Sequence, residues 1–519
     1  MDVRTDNATE PDTGHPRRWP ALAALCAALV VTTLDNTVLN TALPALAGAL
    51  RASTADLQWI NNAYTLVFAS LLIPAGSLGA RFGQRRALAG GLVVLAAASG
   101  AAATAGSAGE LIAWRAVMGM ASAFVMPATL SIIIVLFGAR ERARAIAIWS
   151  ASAGIGIVLG PVTGGLLLNH FAWGSIFYVN VPLIAVVLAA VLALIPALPG
   201  RPAGRFDFPG LLLSTAGLAL LVDVIVQGPE RGWLSTRSLV GAGAAGVLLA
   251  AFTLWELRTA QPMVDLRMFA RRTFTVASVL LAVTFFALFG LLFVYTQYLQ
   301  LVHAFSPLKA GSGALPFAVA MALAAGTSDR VVARLGSRCT IAAGLTVMAV
   351  GLACMSLVTV NTAFVPLALL MAVIGGGMGL IMAPSSTASM AALPREKSPM
   401  ASAINSVARE LGGVLGIAVI GTAVSAAYRS HLLDALPGAP ATAVDDLTSA
   451  HAAAAGLGPE RGAELIRASH QAFTTAMNTG TLICALIALL GAAAALIWLD
   501  RSRPPVLKGA PKNPERALG

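Results

Sequence analysis

Residues 20–43 read PALAALCAALVVTTLDNTVLNTAL. One charge, Asp35, interrupts an otherwise uncharged and largely apolar run. About 20 such residues in a helix cross a hydrocarbon core of ~30 Å. The run is rich in Ala and Leu and does not alternate, so it reads as helix and not as a barrel strand, which would need about ten alternating residues. Comparable runs recur along the chain at 57–79, 87–105, 111–137, 144–168, 174–197, 209–227, 238–256, 274–300, 310–332, 339–358, 364–386, 401–427 and 474–498. The expectation is an all-α polytopic membrane protein with fourteen transmembrane helices. Composition agrees. Of 519 residues 57% are hydrophobic and 11% charged, against about a quarter charged in soluble domains. The first run follows Arg17 and Arg18, as a signal peptide would, but many further spans follow it and it contains Asp35. It reads as a retained first helix.

The net charge of +11 does not indicate nucleic acid, because the basic residues are spread over short loops. With the N-terminus inside, 25 of the 34 Lys and Arg fall in inner segments and seven in outer ones, while Arg115 and Arg409 fall within spans. Such a bias sets both termini in the cytoplasm and makes the protein multi-pass in the plasma membrane. The polar stretch 429–470 is expected outside, with short helices of its own. Ala80-Arg81-Phe82-Gly83-Gln84-Arg85 after the second span is echoed by Ala333-Arg334-Leu335-Gly336-Ser337-Arg338 after the tenth. Parallel repeats of this kind build many transporters, with the substrate site between the halves.

Few residues could carry chemistry. No GxxxxGK[ST] loop is present, and none of the four lysines (Lys309, Lys397, Lys508, Lys512) follows a glycine, so ATP hydrolysis by that route is excluded. No HExxH or GxSxG constellation points to an enzyme. Cys26, Cys339, Cys354 and Cys484 form no CxxC and read as small apolar filler. No metal site and no cofactor is expected. Ionisable groups inside a membrane are costly and usually functional. They are Asp35 in span one, Arg115 in span four, Asp223 in span seven, Glu256 at the inner end of span eight, and Arg409 with Glu410 in span thirteen. All six histidines lie in the tail or outer-side loops, so carboxylates must carry any protons that drive transport. Asp35 and Arg115 reach similar depth at ~1.5 Å per residue and are candidates for a pair. Asp223 lies near outer water, Glu256 reads as interfacial, and Glu410 has two readings, coupling group or neutraliser of Arg409.

These residues fall into patterns. Leu34-Asp35-Asn36-Thr37-Val38-Leu39-Asn40-Thr41-Ala42-Leu43-Pro44 resembles the first-helix signature of the fourteen-span drug:proton antiporter branch of the major facilitator superfamily. Gln58-Trp59 with Ala63-Tyr64 resembles the start of its second helix. Gly76-Ser77-Leu78-Gly79-Ala80-Arg81-Phe82-Gly83-Gln84-Arg85-Arg86 resembles motif A of the superfamily, and Leu111 through Arg115 to Gly119 resembles motif B. Gly156, Gly160-Pro161 and Gly164-Gly165 resemble the antiporter motif C. Trp173, Phe177, Asn180 and Pro182 fit the sixth-helix pattern. Two positions depart from the family: Ala80 replaces the Asp of motif A, which weakens the inner latch, and Met118 replaces a Gln of motif B.

The resemblance implies the major facilitator fold: two six-helix bundles plus two extra transmembrane helices. The expected divisions are a cytoplasmic tail 1–19, a bundle 20–197, two linker helices within 198–273, a bundle 274–498 carrying the loop 429–470, and a tail 499–519. It implies alternating access driven by the proton gradient, with protons and a small-molecule substrate as partners and a monomer in the lipid bilayer. Asp35 would be a proton or cation site and Arg115 a relay or cavity residue, with Glu410 and Asp223 as further candidates. Gly76, Gly79, Arg81, Gly83, Arg85, Gly156, Gly160, Pro161, Gly164 and Gly165 would serve gating and helix packing. Positions 156, 160 and 164 share one helix face, where glycine lets helices approach closely, and Pro161 permits a bend. The function expected is export of drugs, antibiotics or other amphipathic molecules. A dedicated exporter of one neutral or anionic metabolite, and a non-transporting receptor or scaffold favoured only by Ala80, are the alternatives.

Overall fold

The computed structural model describes residues 15–500 apart from 53, 198–199, 201–206, 260–261, 263, 306, 394–397 and 445. Both expected tails, and the basic residues of the 198–206 and 394–397 connections, therefore lie largely outside the described residues. The described residues form helices α1 (Arg18–Leu50), α2 (Thr54–Phe82), α3 (Gln84–Ala102), α4 (Ala108–Leu136), α5 (Ala139–His170), α6 (Ser175–Tyr178) and α7 (Asn180–Leu194). There follow α8 (Phe208–Arg231), α9 (Thr236–Arg258), α10 (Arg272–Gln297), α11 (Pro307–Ser312) and α12 (Leu315–Met355). The last are α13 (Phe364–Ala391), α14 (Ser398–Ala435), α15 (Leu447–Gly456) and α16 (Pro459–Trp498).

Eleven of these helical segments, among the described residues, are long and apolar enough to cross a membrane. The fourteen expected spans map onto them with three additions. Helix α12 is two spans joined at Gly336 (φ 80°). Helices α3 and α5, with 19 and 32 residues, are long enough, but Arg, Gly and Ser dilute their apolar content. Large apolar side chains face outward along the helices, Val186 and Val247 among them. Lipid is the solvent such a surface requires.

Two apolar cores organise the packing. One is built from α1–α7, from Ala21 to Ile195, with Val407 as a visitor from α14. The other is built from α10–α16, from Ala277 to Leu499. They meet where α14 packs on α2 and α4, and where α5 packs on α11, α12 and α13. The α8–α9 pair lies against α2 and α14 through Val222, Ile225, Ala69, Val414 and Ala418. The two echoed loops share a backbone device. Gly83 and Gly336 both have positive φ, at 99° and 80°, a region costly for residues with a Cβ.

The stretch 429–470 is more helical than expected. Helix α14 runs on to Ala435 and α16 begins at Pro459, with α15 between them. Tyr428 Oη donates to the Ala443 carbonyl at 3.1 Å, and the His451 and His470 Nε2 atoms lie 2.9 Å apart. These contacts fold the segment back on α14 and α16. Glu256, at the end of α9, is buried against the protein, and its Oε2 accepts from the Val264 amide at 3.2 Å. A carboxylate at the end of α9 thus anchors the chain that leads into α10.

The glycine face of α5 meets α1. A methyl group at Gly156 would lie 2.7 Å from Thr33 Cβ and 2.8 Å from the Val30 carbonyl oxygen. One at Gly160 would overlap the Thr37 hydroxyl and sit 2.9 Å from the Val38 amide nitrogen, and one at Gly164 would meet Thr41. The approach lets Thr37 Oγ1 donate across to the Gly156 carbonyl at 3.3 Å. Gly165 differs from its neighbours, because nothing among the described residues lies within 4 Å of a methyl there. Replacing Gly160 by Ala should cost about 1–3 kcal/mol through overpacking. Gly165→Ala should leave stability unchanged or raise it by up to ~1 kcal/mol from helix propensity. Thermal unfolding of the two purified variants checks the contrast.

Candidate functional site

The charged centre begins with the start of α4. Ser107 caps the helix by accepting from the Glu110 amide at 3.3 Å, and Glu110 Oε2 accepts in turn from the Gly106 amide at 2.9 Å. This reciprocal cap sets where α4 begins, and so where Arg115 falls two turns later. On α1 the threonines before Asp35 turn their hydroxyls back to the helix. Thr32 and Thr33 donate to the Leu29 carbonyl at 2.9 and 2.7 Å. Their polar groups are satisfied without water.

Asp35 and Arg115 meet. Arg115 Nη1 lies 3.0 Å from Asp35 Oδ2, with the side chains 0% and 1% exposed. Arg115 Nε donates to the Ile60 carbonyl at 3.2 Å, and its guanidinium lies 4.4 Å from the Tyr64 ring centre. Asn180 Nδ2 donates to Asp35 Oδ1 at 2.6 Å and to Ser99 Oγ at 3.1 Å. Arg115 Nη2 alone of the guanidinium nitrogens at this centre lies buried without a hydrogen-bond partner among the described residues. Breaking a buried pair by removing one member leaves an uncompensated charge and costs about 3–5 kcal/mol.

In front of this centre lies a cavity of about 160 Å³ between the two cores. Its walls are Thr32, Thr33 and Asn36 of α1, Tyr64 and Phe68 of α2, Met126 of α4 and Trp149 of α5. From the other core come Phe285 and Phe289, Phe317 and Met321, Met378 and Met382, and Arg409 with Glu410. Asp35 and Arg115 are not in the wall. Tyr64 stands between, with the guanidinium on one side and the cavity on the other. The arginine expected as a relay or cavity residue is therefore behind the lining.

Arg409 and Glu410 are not an ion pair. Consecutive helix positions do not face each other, and Arg409 turns elsewhere. Its Nη2 donates to Ser406 Oγ at 3.1 Å, and its guanidinium lies 5.1 Å from the Trp149 ring centre and 5.9 Å from that of Phe285. Glu410, half-buried at the cavity, has no hydrogen-bond or ion-pair partner among the described residues. Asp223 stands apart. On α8 it pairs with Arg231 at 3.0 Å, both about a quarter exposed, and it is not in the cavity wall.

The motif A residues cluster at the α2–α3 turn. Gly76 is buried on α2, and a methyl at Gly79 would press on Gln84 Oε1 at 2.8 Å. The Arg81 guanidinium lies 5.9 Å from the Phe82 ring centre. Arg85 Nη2 donates to the Leu192 carbonyl at 2.5 Å, a cation at the end of α7 where the helix dipole favours it. Pro161 lies within α5 beside the glycine face. Residue-by-residue reasoning missed the Met and aromatic lining, and gave Asn180 no role. The signal for the lining is faint, because Met and Phe inside a span look like ordinary core.

A family model described as Major Facilitator Superfamily matches residues 25–417. The chain is 32% identical over 491 residues to the tetracenomycin C resistance and export protein of Streptomyces glaucescens, covering 92% of this chain and 91% of that one. It is 34% identical over 482 residues to the multidrug efflux pump LfrA of Mycolicibacterium smegmatis, covering 92% and 95%. The human organic anion transporter MFSD10 shares the fold, with a TM-score of 0.58 at 14% identity over 91% of this chain and 100% of that one. With the helical architecture and the central cavity, these matches establish that the chain belongs to the Major Facilitator Superfamily.

Proposed function

We propose that this protein exports amphipathic small molecules, drugs or antibiotics among them, across the cytoplasmic membrane in exchange for protons. The observation that carries the reading is the Asp35–Arg115–Asn180 cluster, buried directly behind the cavity wall. Protonating Asp35 removes its attraction for Arg115, and separating the pair favours the neutral acid. Proton uptake and helix movement are then linked, because each shifts the other's equilibrium. The reading needs no cofactor, since the gradient supplies the energy.

The cavity supports the cargo class. Its aromatic and Met side chains adapt to varied apolar shapes, and Glu410 offers an unpaired acid to a cationic group. At about 160 Å³ it is smaller than the roughly 300–1,000 Å³ of drug-sized sites. The cargo therefore enters when the two cores part on one face, and leaves when they part on the other. The named exporters of Streptomyces and Mycolicibacterium support the direction of transport.

The test is gradient-driven uptake of a fluorescent lipophilic cation into inverted vesicles. Wild type should accumulate the dye only with the proton gradient, and folded Asp35→Asn should abolish uptake. Uptake that survives in Asp35→Asn sinks the coupling role of Asp35. No uptake by folded wild type turns the reading to a dedicated exporter of a neutral or anionic metabolite. Both termini are cytoplasmic in this proposal. A cysteine at Leu234, in the exposed α8–α9 turn, should react with an impermeant thiol reagent in intact cells, whereas one at Arg86 should react only in inverted vesicles. The background for both is Cys339→Ser with Cys354→Ser.

A further inference from the structure

A second cavity, about 340 Å³, lies outside the central site as a groove on the membrane surface of the first core. Three helices line it with side chains one turn apart: Leu78 and Phe82 of α2, Arg86, Gly90 and Val94 of α3, and Met120 and Phe124 of α4. It descends from the α2–α3 turn, on the face of the basic loops, for about 12 Å along α3 at 1.5 Å per residue. Phe82, Val94 and Met120 are exposed along it. Arg86, at the mouth, is the only charged residue in its lining.

Two observations make this more than a gap between helices. The first concerns adjacent glycines of α3. Gly91 has a packing reason, since a methyl there would lie 2.9 Å from the Ala121 carbonyl oxygen and 3.2 Å from Phe124 Cβ. Gly90 has none, because nothing among the described residues lies within 4 Å of a methyl there. Glycine within a helix is destabilising, and what Gly90 provides is the open floor of the groove. The second concerns the arginines of the turn. Arg85 is engaged with the Leu192 carbonyl and Arg81 has contacts of its own. Arg86 is exposed and makes no hydrogen bond or ion pair among the described residues. An unspent cation thus stands at one end of an apolar slot, on the side of the basic α2–α3 turn.

We infer that this groove is a binding site for an acidic phospholipid, with one acyl chain lying along Gly90 and the phosphate on the Arg86 guanidinium. The charge selects an anionic headgroup, because surface lysines and arginines attract acidic lipids at the membrane face. The slot selects a chain and not a free anion. The inference rests on the membrane-embedded fold and is independent of what the central cavity carries.

Native mass spectrometry of the full-length protein, with phosphatidylglycerol and phosphatidylcholine offered in equal amounts, tests it. Wild type should retain phosphatidylglycerol several-fold over phosphatidylcholine. Arg86→Gln should lose that preference, and Arg86→Lys should keep most of it. Gly90→Leu places a side chain on the floor, where a Cβ meets nothing within 4 Å among the described residues, and should lower retention of both lipids. Arg272→Gln, at the start of α10 and away from the groove, should behave as wild type. Equal retention of the two lipids by wild type overturns the proposal. So does an undiminished preference in Arg86→Gln, or wild-type retention in Gly90→Leu. Inorganic phosphate competing as well as the lipid would show anion binding without the chain and would also overturn it.

Discussion

A buried acid and a buried base, paired across two helices, tie the first core together. Asp35 and Arg115 could not lie at 1% and 0% exposure unless each satisfied the other, because an unpaired charge inside a membrane is costly. Meeting that demand recruits five helices. Asp35 comes from α1, the Ile60 carbonyl and Tyr64 from α2, Ser99 from α3, Arg115 from α4 and Asn180 from α7. The close approach of α5 to α1 through Gly156, Gly160 and Gly164 sets the other side of α1. The helix that carries the acid is thus clamped on both flanks.

Among the described residues, the second core is organised without such a pair. Its buried polar contacts are neutral or single-charged: Asn405 Oδ1 accepts from Ser278 and Ser389 at 3.1 Å each, and Arg409 leans on Ser406 and two aromatic rings. Similar helices and similar turns, with glycines of positive φ at 83 and 336, therefore enclose different electrostatics. The cavity lies between a half that confines its charge behind Tyr64 and a half that brings Glu410 to the surface of the cavity.

Much of this was legible in the residues. Asp35, Arg115 and the spaced glycines stand out because charge and glycine are both expensive inside an apolar helix, and the structure brings Asp35 to Arg115 as their depths suggested. The reading failed where the chemistry is unremarkable in sequence. Met378, Phe289 and Trp149 are hydrophobic residues among hydrophobic residues, and only the tertiary arrangement turns them to one space. Glu256 drew notice because it ends a span, but nothing in the sequence announces that the returning chain at Val264 would hydrogen-bond it. Asp223 drew notice as an acid within a span, and Arg231, two turns on, neutralises it at the helix end. Residues 459–470 fall in the polar stretch expected outside with short helices of its own, whereas they are the first part of α16.

Tyr64 both touches the buried guanidinium and faces the cavity. Met321, Phe289 and Met382 reach the same wall from the other core. Substitutions at Met321, Phe289 or Met382 can therefore reshape what fits the cavity while leaving the ionic frame of the first core intact. Tolerance of change is unevenly distributed in this molecule: it is wide on the lining, narrow in the shell behind it, and narrowest at the tyrosine that belongs to both.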